Sequence, residues 1–305
     1  MTELVNPDDI ERAAERIGER ARRTPVIEYG ALTLKLELMQ HAGSFKTRGA
    51  LNRVLGETDL PPAGLIAASG GNHGAALSYV GGSLGVPTEI FMPSTSPDIK
   101  RRNIERFGAT VHVIEGYYDD AQAAADERRA ETGALQIHPF DHHDTVAGQG
   151  TMARELEQQV GGIDTILVAA GGGGFIAGQA AWFRDRVRVV CVEPVTSQCV
   201  RAARANGEPV PVPVGGVAAD SLGAKQVGAV PWAVIREFVD DAVVVDDEAI
   251  RSAQRELWDE FRLIVEPGGA AALSAIRAGA YVPAPGERVV VAVCGSNADP
   301  ATIVS

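Results

Sequence analysis

Cysteine is scarce in this chain and does not pair. Cys191, Cys199 and Cys294 are an odd set without the spacing of a disulfide framework, which suggests a reducing compartment. Basic charge is also short. Lysine and arginine total 28 against 40 aspartates and glutamates, a net charge of −12 over 305 residues. That sign disfavours nucleic acid and anionic membrane as main partners, while leaving room for a small anion in a locally positive pocket. No apolar run is long enough to span a bilayer, because the most apolar region, Ile166–Ala181, is interrupted by Gly171–Gly174. The opening stretch MTELVNPDDIERAAERI is acidic and amphipathic, without the basic and apolar regions of a signal peptide. These absences lead to the expectation of a soluble, cytoplasmic, globular protein, with length for one large domain or two lobes.

What is present is a repeated strand–loop–helix pattern. Asn6 or Asp8 can cap a first helix running to about Arg22, with Pro25 as its stop. TLKLE reads as a short strand, and Ser44 stands where a cap would precede a helix over Phe45–Leu55. Then LIAAS, PTEIFMP and TVHVIEG read as strands, each followed by a helical segment. DTILVAA, GGGG, FIAGQAAWF and RVRVVCVEP repeat the pattern, and EAIRSAQRELWDEF, GGAAALSAIRAG and RVVVAVCG close it. PVPVPVGG reads as an extended surface excursion. Alternating strands and helices predict an α/β fold of mostly parallel sheets covered on both faces, with ligands at the carboxyl ends of strands.

Three loops stand at such ends. SGGNHG, Ser69–Gly74, opens a helix, and its amides favour an anion such as a carboxylate. GGGG, Gly171–Gly174, has the chain-entropy cost of four glycines in a row, which close approach by a phosphate would explain. The same glycines admit a rival reading: Gly172, Gly174 and Ala177 with Glu193 outline a dinucleotide fingerprint, and hence a nicotinamide-dependent oxidoreductase. VCGSN, Val293–Asn297, places the Cys294 thiol at a strand end, where it is either a functional group or a small buried hydrophobe. The histidine-rich IHPFDHHD invites a metal reading, but adjacent histidines on a proline-containing loop seldom aim at one point, and a solvated loop capping the next helix is expected.

Lys46, in GSFKTRGA, sits at a helix start. The helix dipole and burial both favour its neutral amine, which can condense with an aldehyde or take a proton. With a phosphate loop in the same chain, it points to pyridoxal phosphate.

GSFKTRGA, SGGNHG, PFDHHDTVAGQGT, GGGGFIAG, VEP, VEPGGAA and VCGSN follow one another as in the serine/threonine dehydratases, which the chain resembles from Thr24 to VCGSN. These are pyridoxal-phosphate enzymes of the tryptophan-synthase-β-like fold, two-lobed and of fold type II. The resemblance implies Lys46 as the lysine joined to the cofactor aldehyde, with Phe45 against the ring and Asn72 on its hydroxyl. It implies Ser69, Gly70, Gly71, Asn72 and His73 around the substrate carboxylate, and Gly171, Gly172, Gly173 and Gly174 around the phosphate. Cys294 would face the pyridine nitrogen, as in mammalian-type serine dehydratases. By the same analogy Glu193 and the carbonyls of Ser197, Leu222 and Ala224 would hold K+. Residues 1–50 and 145–305 would form the large lobe, 51–144 the small one, and the assembly would be a homodimer.

The implied activity is β-elimination on L-serine or L-threonine, giving a 2-oxo acid and ammonia, the leaving hydroxyl taking a proton from the cofactor phosphate. An amino-acid racemase or a β-replacement enzyme is the alternative within the cofactor class. Three departures from the family pattern bear on it. The connection between TPV and LKLE is short. Gly70 stands where racemases carry a serine base, and Cys199 stands where metal-dependent relatives have an aspartate ligand. The few residues after VCGSN leave no expectation of an isoleucine-binding regulatory domain.

Overall fold

The computed structural model describes residues 4–304. The first helix, α1 (Pro7–Ile17), starts as its capping residues dictate. The Asn6 side chain accepts from the amides of Asp8 and Asp9, and the Asp9 carboxylate takes the Asn6 amide in return. It ends before Arg22, because Gly18 turns to φ 54° and only a single 3-10 turn, Gly18–Arg20, continues it. Pro25 is therefore not its stop. A hairpin follows, β1 (Val26–Tyr29) antiparallel to β2 (Leu32–Lys35). The reading of the sequence contained only the second strand.

After α2 (Lys46–Leu55) come β3 (Leu65–Ala68), α3 (Asn72–Leu84), β4 (Thr88–Pro93), α4 (Asp98–Glu105), β5 (Thr110–Ile114), α5 (Tyr118–Thr132) and β6 (Leu135–Gln136). These four strands form a parallel sheet in the order β5-β4-β3-β6. The chain goes on through α6 (His143–Glu157), β7 (Thr165–Ala169), α7 (Gly174–Phe183), β8 (Arg188–Pro194), α8 (Cys199–Asn206), α9 (Ala219–Leu222), α10 (Ala229–Phe238), β9 (Asp241–Val245), α11 (Asp247–Phe261), α12 (Pro267–Arg277) and β10 (Val289–Ala292). The second sheet has the order β1-β2-β10-β7-β8-β9 and is parallel apart from β1. The chain is thus an α/β fold of two largely parallel sheets with helices on their faces. The central strands TILVA and VVVA are buried at every residue, as a sheet covered on both sides requires. PVPVPVGG carries no regular structure, and Val212 ties it down through a hydrogen bond to the Lys225 carbonyl.

Beneath α2 lies a buried charge cluster. Arg48 donates to both oxygens of Glu37 at 2.7 and 2.8 Å and to Glu155 at 2.9 Å, and Lys35 donates to Glu155 at 2.5 Å. Burial alone would raise the Glu37 pKa, but the Arg48 guanidinium outweighs it and holds the carboxyl below its ordinary value. The cluster clamps β2 and α6 to the helix that begins at Lys46. Among the described residues no helix is long and apolar enough to cross a membrane.

Candidate active site

The carboxyl ends of β3, β4 and β7 converge on a cleft of about 610 Å³, lined by Lys46, the Ser69–His73 loop, Gly171, Gly172 and the His138–Phe140 turn. Lys46 is the first residue of α2, and no side chain caps that helix. The cap expected from Ser44 is absent. Ser44 is drawn into an extended conformation, φ −160° and ψ 159°, by a bridge to Gly295, so its hydroxyl is buried without a partner. The tether places Lys46 beside the end of β10, since the Phe45 amide donates to the Cys294 carbonyl at 3.2 Å.

The Lys46 side chain keeps partial solvent contact through the cleft, while its amine lies deep, donating to the Pro139 carbonyl at 2.9 Å. Its Nζ stands 5.1 Å from the Phe45 ring centre and 5.9 Å from that of Phe140. Burial pushes its pKa down to about 8, opposed by Cys294 and Glu266. The Phe45 ring stacks on Phe175 at 4.1 Å.

Asn72 opens α3 with both ends of its carboxamide engaged. Nδ2 donates to Glu266 Oε1 at 2.5 Å, and Oδ1 accepts from Asn297 at 2.7 Å. Glu266 is buried, its pKa raised by burial and drawn back by Asn72. Glu266, like Asn297 and Pro139, has no role in the sequence pattern; VEPGGAA stands there only as a motif, and the partnership with Asn72 spans 194 residues. His73 is buried, and its Nε2 is committed to the Ile137 carbonyl at 2.7 Å. Burial first, then Lys46, pushes its pKa down to about 3, so the ring is neutral. Ser69 Oγ accepts the Gly71 amide. At Gly70 a Cβ would lie 2.2 Å from Ser96 Oγ, so a side chain there requires Ser96 to move.

The four glycines follow β7 and lead into α7, with Gly173 at φ 89°. A Cβ on Gly172 would lie 2.4 Å from Phe140 ring atoms, and one on Gly174 would lie 2.8 Å from Phe140 Cβ. Among the described residues nothing accepts the amide hydrogens of residues 171–173. Unpaired amides at a helix start suit an anionic group. The lowered amine, Gly171 and Gly172 of this turn, and Asn72 line one cleft, so the residues fit pyridoxal phosphate.

Cys294 is buried at the end of β10, with Sγ 3.6 Å from the Gly268 carbonyl, and burial, then Glu266, pushes its thiol up so that it stays protonated. Glu193 uses both oxygens on the amides of Val200 and Arg201 at the start of α8, at 2.7 and 2.8 Å, and burial pushes it to about 7. That commitment corrects the dinucleotide reading, which requires Glu193 to be free for a ribose. Ser197 Oγ donates to the Leu222 carbonyl at 3.1 Å, Cys199 Sγ to the Gly171 carbonyl at 2.9 Å, and Ala224 lines the cleft. In the histidine-rich segment, His142 caps α6 by accepting the Asp144 amide, and His143 reaches toward Asp9.

The family model for pyridoxal-phosphate dependent enzymes matches residues 17–295. The L-threonine ammonia-lyase of Geobacter sulfurreducens is 36% identical, over 96% of this chain and 76% of its own length. A biosynthetic L-threonine dehydratase of Salmonella typhimurium is 36% identical over 87% of this chain, which spans about half of that relative, 53% of its length. Among solved structures, maize serine racemase superposes with a TM-score of 0.92 at 31% identity, covering 99% of this chain and 96% of that one. The chain belongs to the family of pyridoxal-phosphate dependent enzymes, and its fold is that of the fold-type II members.

Proposed function

We propose that this chain is an ammonia-lyase that eliminates the β-hydroxyl of L-threonine or L-serine, releasing a 2-oxo acid and ammonia. The carrying observation is a lysine amine of lowered pKa in a cleft lined by the Ser69–His73 loop on one side and Gly171 and Gly172 on another. When bound, pyridoxal phosphate supplies an aldehyde that joins amines and a ring that withdraws electrons from the bonds to Cα. Lys46 is the residue we assign to that aldehyde. The amides of Gly171–Gly174 would hold the anionic tail, Asn72 and Phe45 would flank the ring, and Cys294, a neutral thiol, would meet its nitrogen.

The chain's own work is to bind, orient and move a proton. The amides of the Ser69–His73 loop take the substrate carboxylate, His73 contributing as a neutral ring anchored to Ile137. The Lys46 amine takes the α-proton at Nζ, which a pKa near neutrality permits, and the Pro139 carbonyl directs it. Residues 51–144 act as a small lobe closing on residues 1–50 and 145–305 to exclude water. The proposed K+ site at Glu193, Ser197, Leu222 and Ala224 requires an ion to share carbonyls with existing hydrogen bonds, and turnover in K+ against Na+ buffers tests it. A homodimer is proposed on the family pattern, with light scattering as its check.

The deciding experiment is threefold: a visible spectrum of the purified protein, borohydride reduction with peptide mapping, and 2-oxo acid release from L-serine and L-threonine. A label on Lys46 and 2-oxo acid from either substrate are expected. A colourless protein, or one that makes only D-serine, refutes the lyase reading.

A further inference from the structure

We propose that His138 donates a hydrogen bond from Nε2 to the β-hydroxyl of the amino-acid substrate, and so selects for hydroxylated side chains. The proposal rests on the lyase reading above.

The ring is held by the backbone. His138 Nδ1 accepts the Asp141 amide at 2.7 Å and the Phe140 amide at 3.3 Å. An acceptor at Nδ1 leaves the neutral ring's proton on Nε2. The turn that holds it is itself pinned, because Asp141 Oδ1 takes the Val230 amide at 2.8 Å, and the imidazole meets the Phe140 ring edge to face at 4.7 Å. The residue is exposed and lines the cleft. Among the described residues, no group accepts from Nε2. This is an oriented N–H donor with no partner among the described residues, on a side chain that lines the cleft.

Its position matches the substrate's remaining substituent. The next carbonyl in the chain, that of Pro139, receives the Lys46 amine. With the α-proton facing Lys46, the carboxylate on the asparagine loop and the nitrogen toward the cofactor, the fourth bond of Cα points at the remaining walls. Those are the His138–Phe140 turn, the segment around residues 219–226, and the Pro93–Ser96 corner, where Ser96 Oγ lies against Gly70 on the carboxylate side. The donors of the 219–226 segment are engaged: Lys225 with Asp119, Gln226 with the Pro209 carbonyl, and Ser221 with the Ala218 carbonyl. His73 is committed to Ile137. As the Cβ–O bond breaks, charge grows on oxygen, and a preoriented N–H stabilises it more than it stabilises the ground state. The step asked of His138 is a hydrogen bond and not loss of its proton, since a neutral ring that gave up Nε2–H would become an imidazolate.

Steady-state rates on L-serine, L-threonine and β-chloro-L-alanine test this, because chloride departs without needing a strong donor. His138→Phe should lower kcat on the two hydroxy amino acids by about 10²-fold, the scale of one lost transition-state donor, and lower the chloro substrate far less. His138→Gln, which keeps an N–H, should recover part of the loss. A second readout needs no turnover: in cofactor-loaded Lys46→Ala, the ¹⁵N resonance of His138 Nε2 should shift with L-serine and not with L-alanine. Equal loss on all three substrates, no rescue by glutamine, or identical shifts with serine and alanine would overturn the proposal. Wild-type enzyme inert on all three substrates sinks the lyase reading itself, and this assignment with it.

Discussion

The amine of Lys46 offers the sharpest quantitative test. An ordinary lysine, with a pKa near 10.5, is roughly 0.1% neutral at pH 7.5, whereas one at about 8 is roughly one quarter neutral. The structure therefore raises the reactive fraction of this one amine by about two hundred-fold. The cause is burial: the amine lies 5.1 and 5.9 Å from the Phe45 and Phe140 ring centres, and its single hydrogen bond, to the Pro139 carbonyl, replaces only part of a water shell. The chain has only four lysines, Lys35, Lys46, Lys100 and Lys225, so the amines can be followed individually. Cofactor-free protein is pulsed with an amine-selective acylating reagent across pH 6–11 and digested, and each lysine's labelling rate is read by mass spectrometry. The solvent-exposed Lys225 serves as the internal reference. Lys46 labelling should rise with a midpoint near pH 8. Glu266→Gln should move that midpoint lower, because the carboxylate's negative charge supports the ammonium. Bound pyridoxal phosphate should protect Lys46 selectively. A midpoint near the ordinary lysine value would refute the burial argument and the proposed base with it.

Other expectations follow from the geometry. Arg48→Met strands the fully buried Glu37 carboxylate and should cost about 3–5 kcal/mol in urea unfolding followed by circular dichroism. The Glu37 pKa is lowered in the fold, so its contribution is present above the unfolded value and lost as pH falls through the folded one. Without Arg48 burial raises that pKa instead, so the variant's deficit should be larger at pH 8 than at pH 5; an equal deficit at both would count against the cluster. Gly172→Ala puts a methyl 2.4 Å from the Phe140 ring and should weaken pyridoxal phosphate binding in a fluorescence titration, without unfolding the chain. Unchanged affinity would remove these glycines from the cradle. Gly70→Ala should raise KM for L-serine by colliding with Ser96, and Ser96→Ala in the same chain should restore part of it; strictly additive effects would show that the two do not meet.

Much of the architecture is local and was open to reading. LIAAS, PTEIFMP and DTILVAA are apolar runs bounded by turn residues, and each is a strand where the pattern put it. The exceptions have physical causes. β1, VIEY, is four residues between Pro25 and Gly30 at a sheet edge, only partly buried, so it carries no apolar run to detect. Ser44 has a capping residue's chemistry, but its backbone is taken by a bridge to Gly295, a partner 251 positions later, and a local rule cannot see that competition. α1 stops early because Gly18 adopts a positive φ that the helical periodicity of its neighbours does not announce.

The candidate site divides in the same way. Residue types and their order along the chain determined the glycine turns, the lysine at a helix start and the family to which they belong, because each rests on backbone freedom or charge within a few neighbours. Tertiary structure alone decided that Glu266 meets Asn72, that Asn297 completes the pair, that Pro139 receives Lys46, and that the His138 ring is left with an open N–H above the cleft. The first three join residues 93 to 225 positions apart; the turn that holds His138 is local, and only the cleft it lines is tertiary. A buried polar group takes whichever partner the packed sheets bring within about 3 Å, and sequence distance has no bearing on that choice.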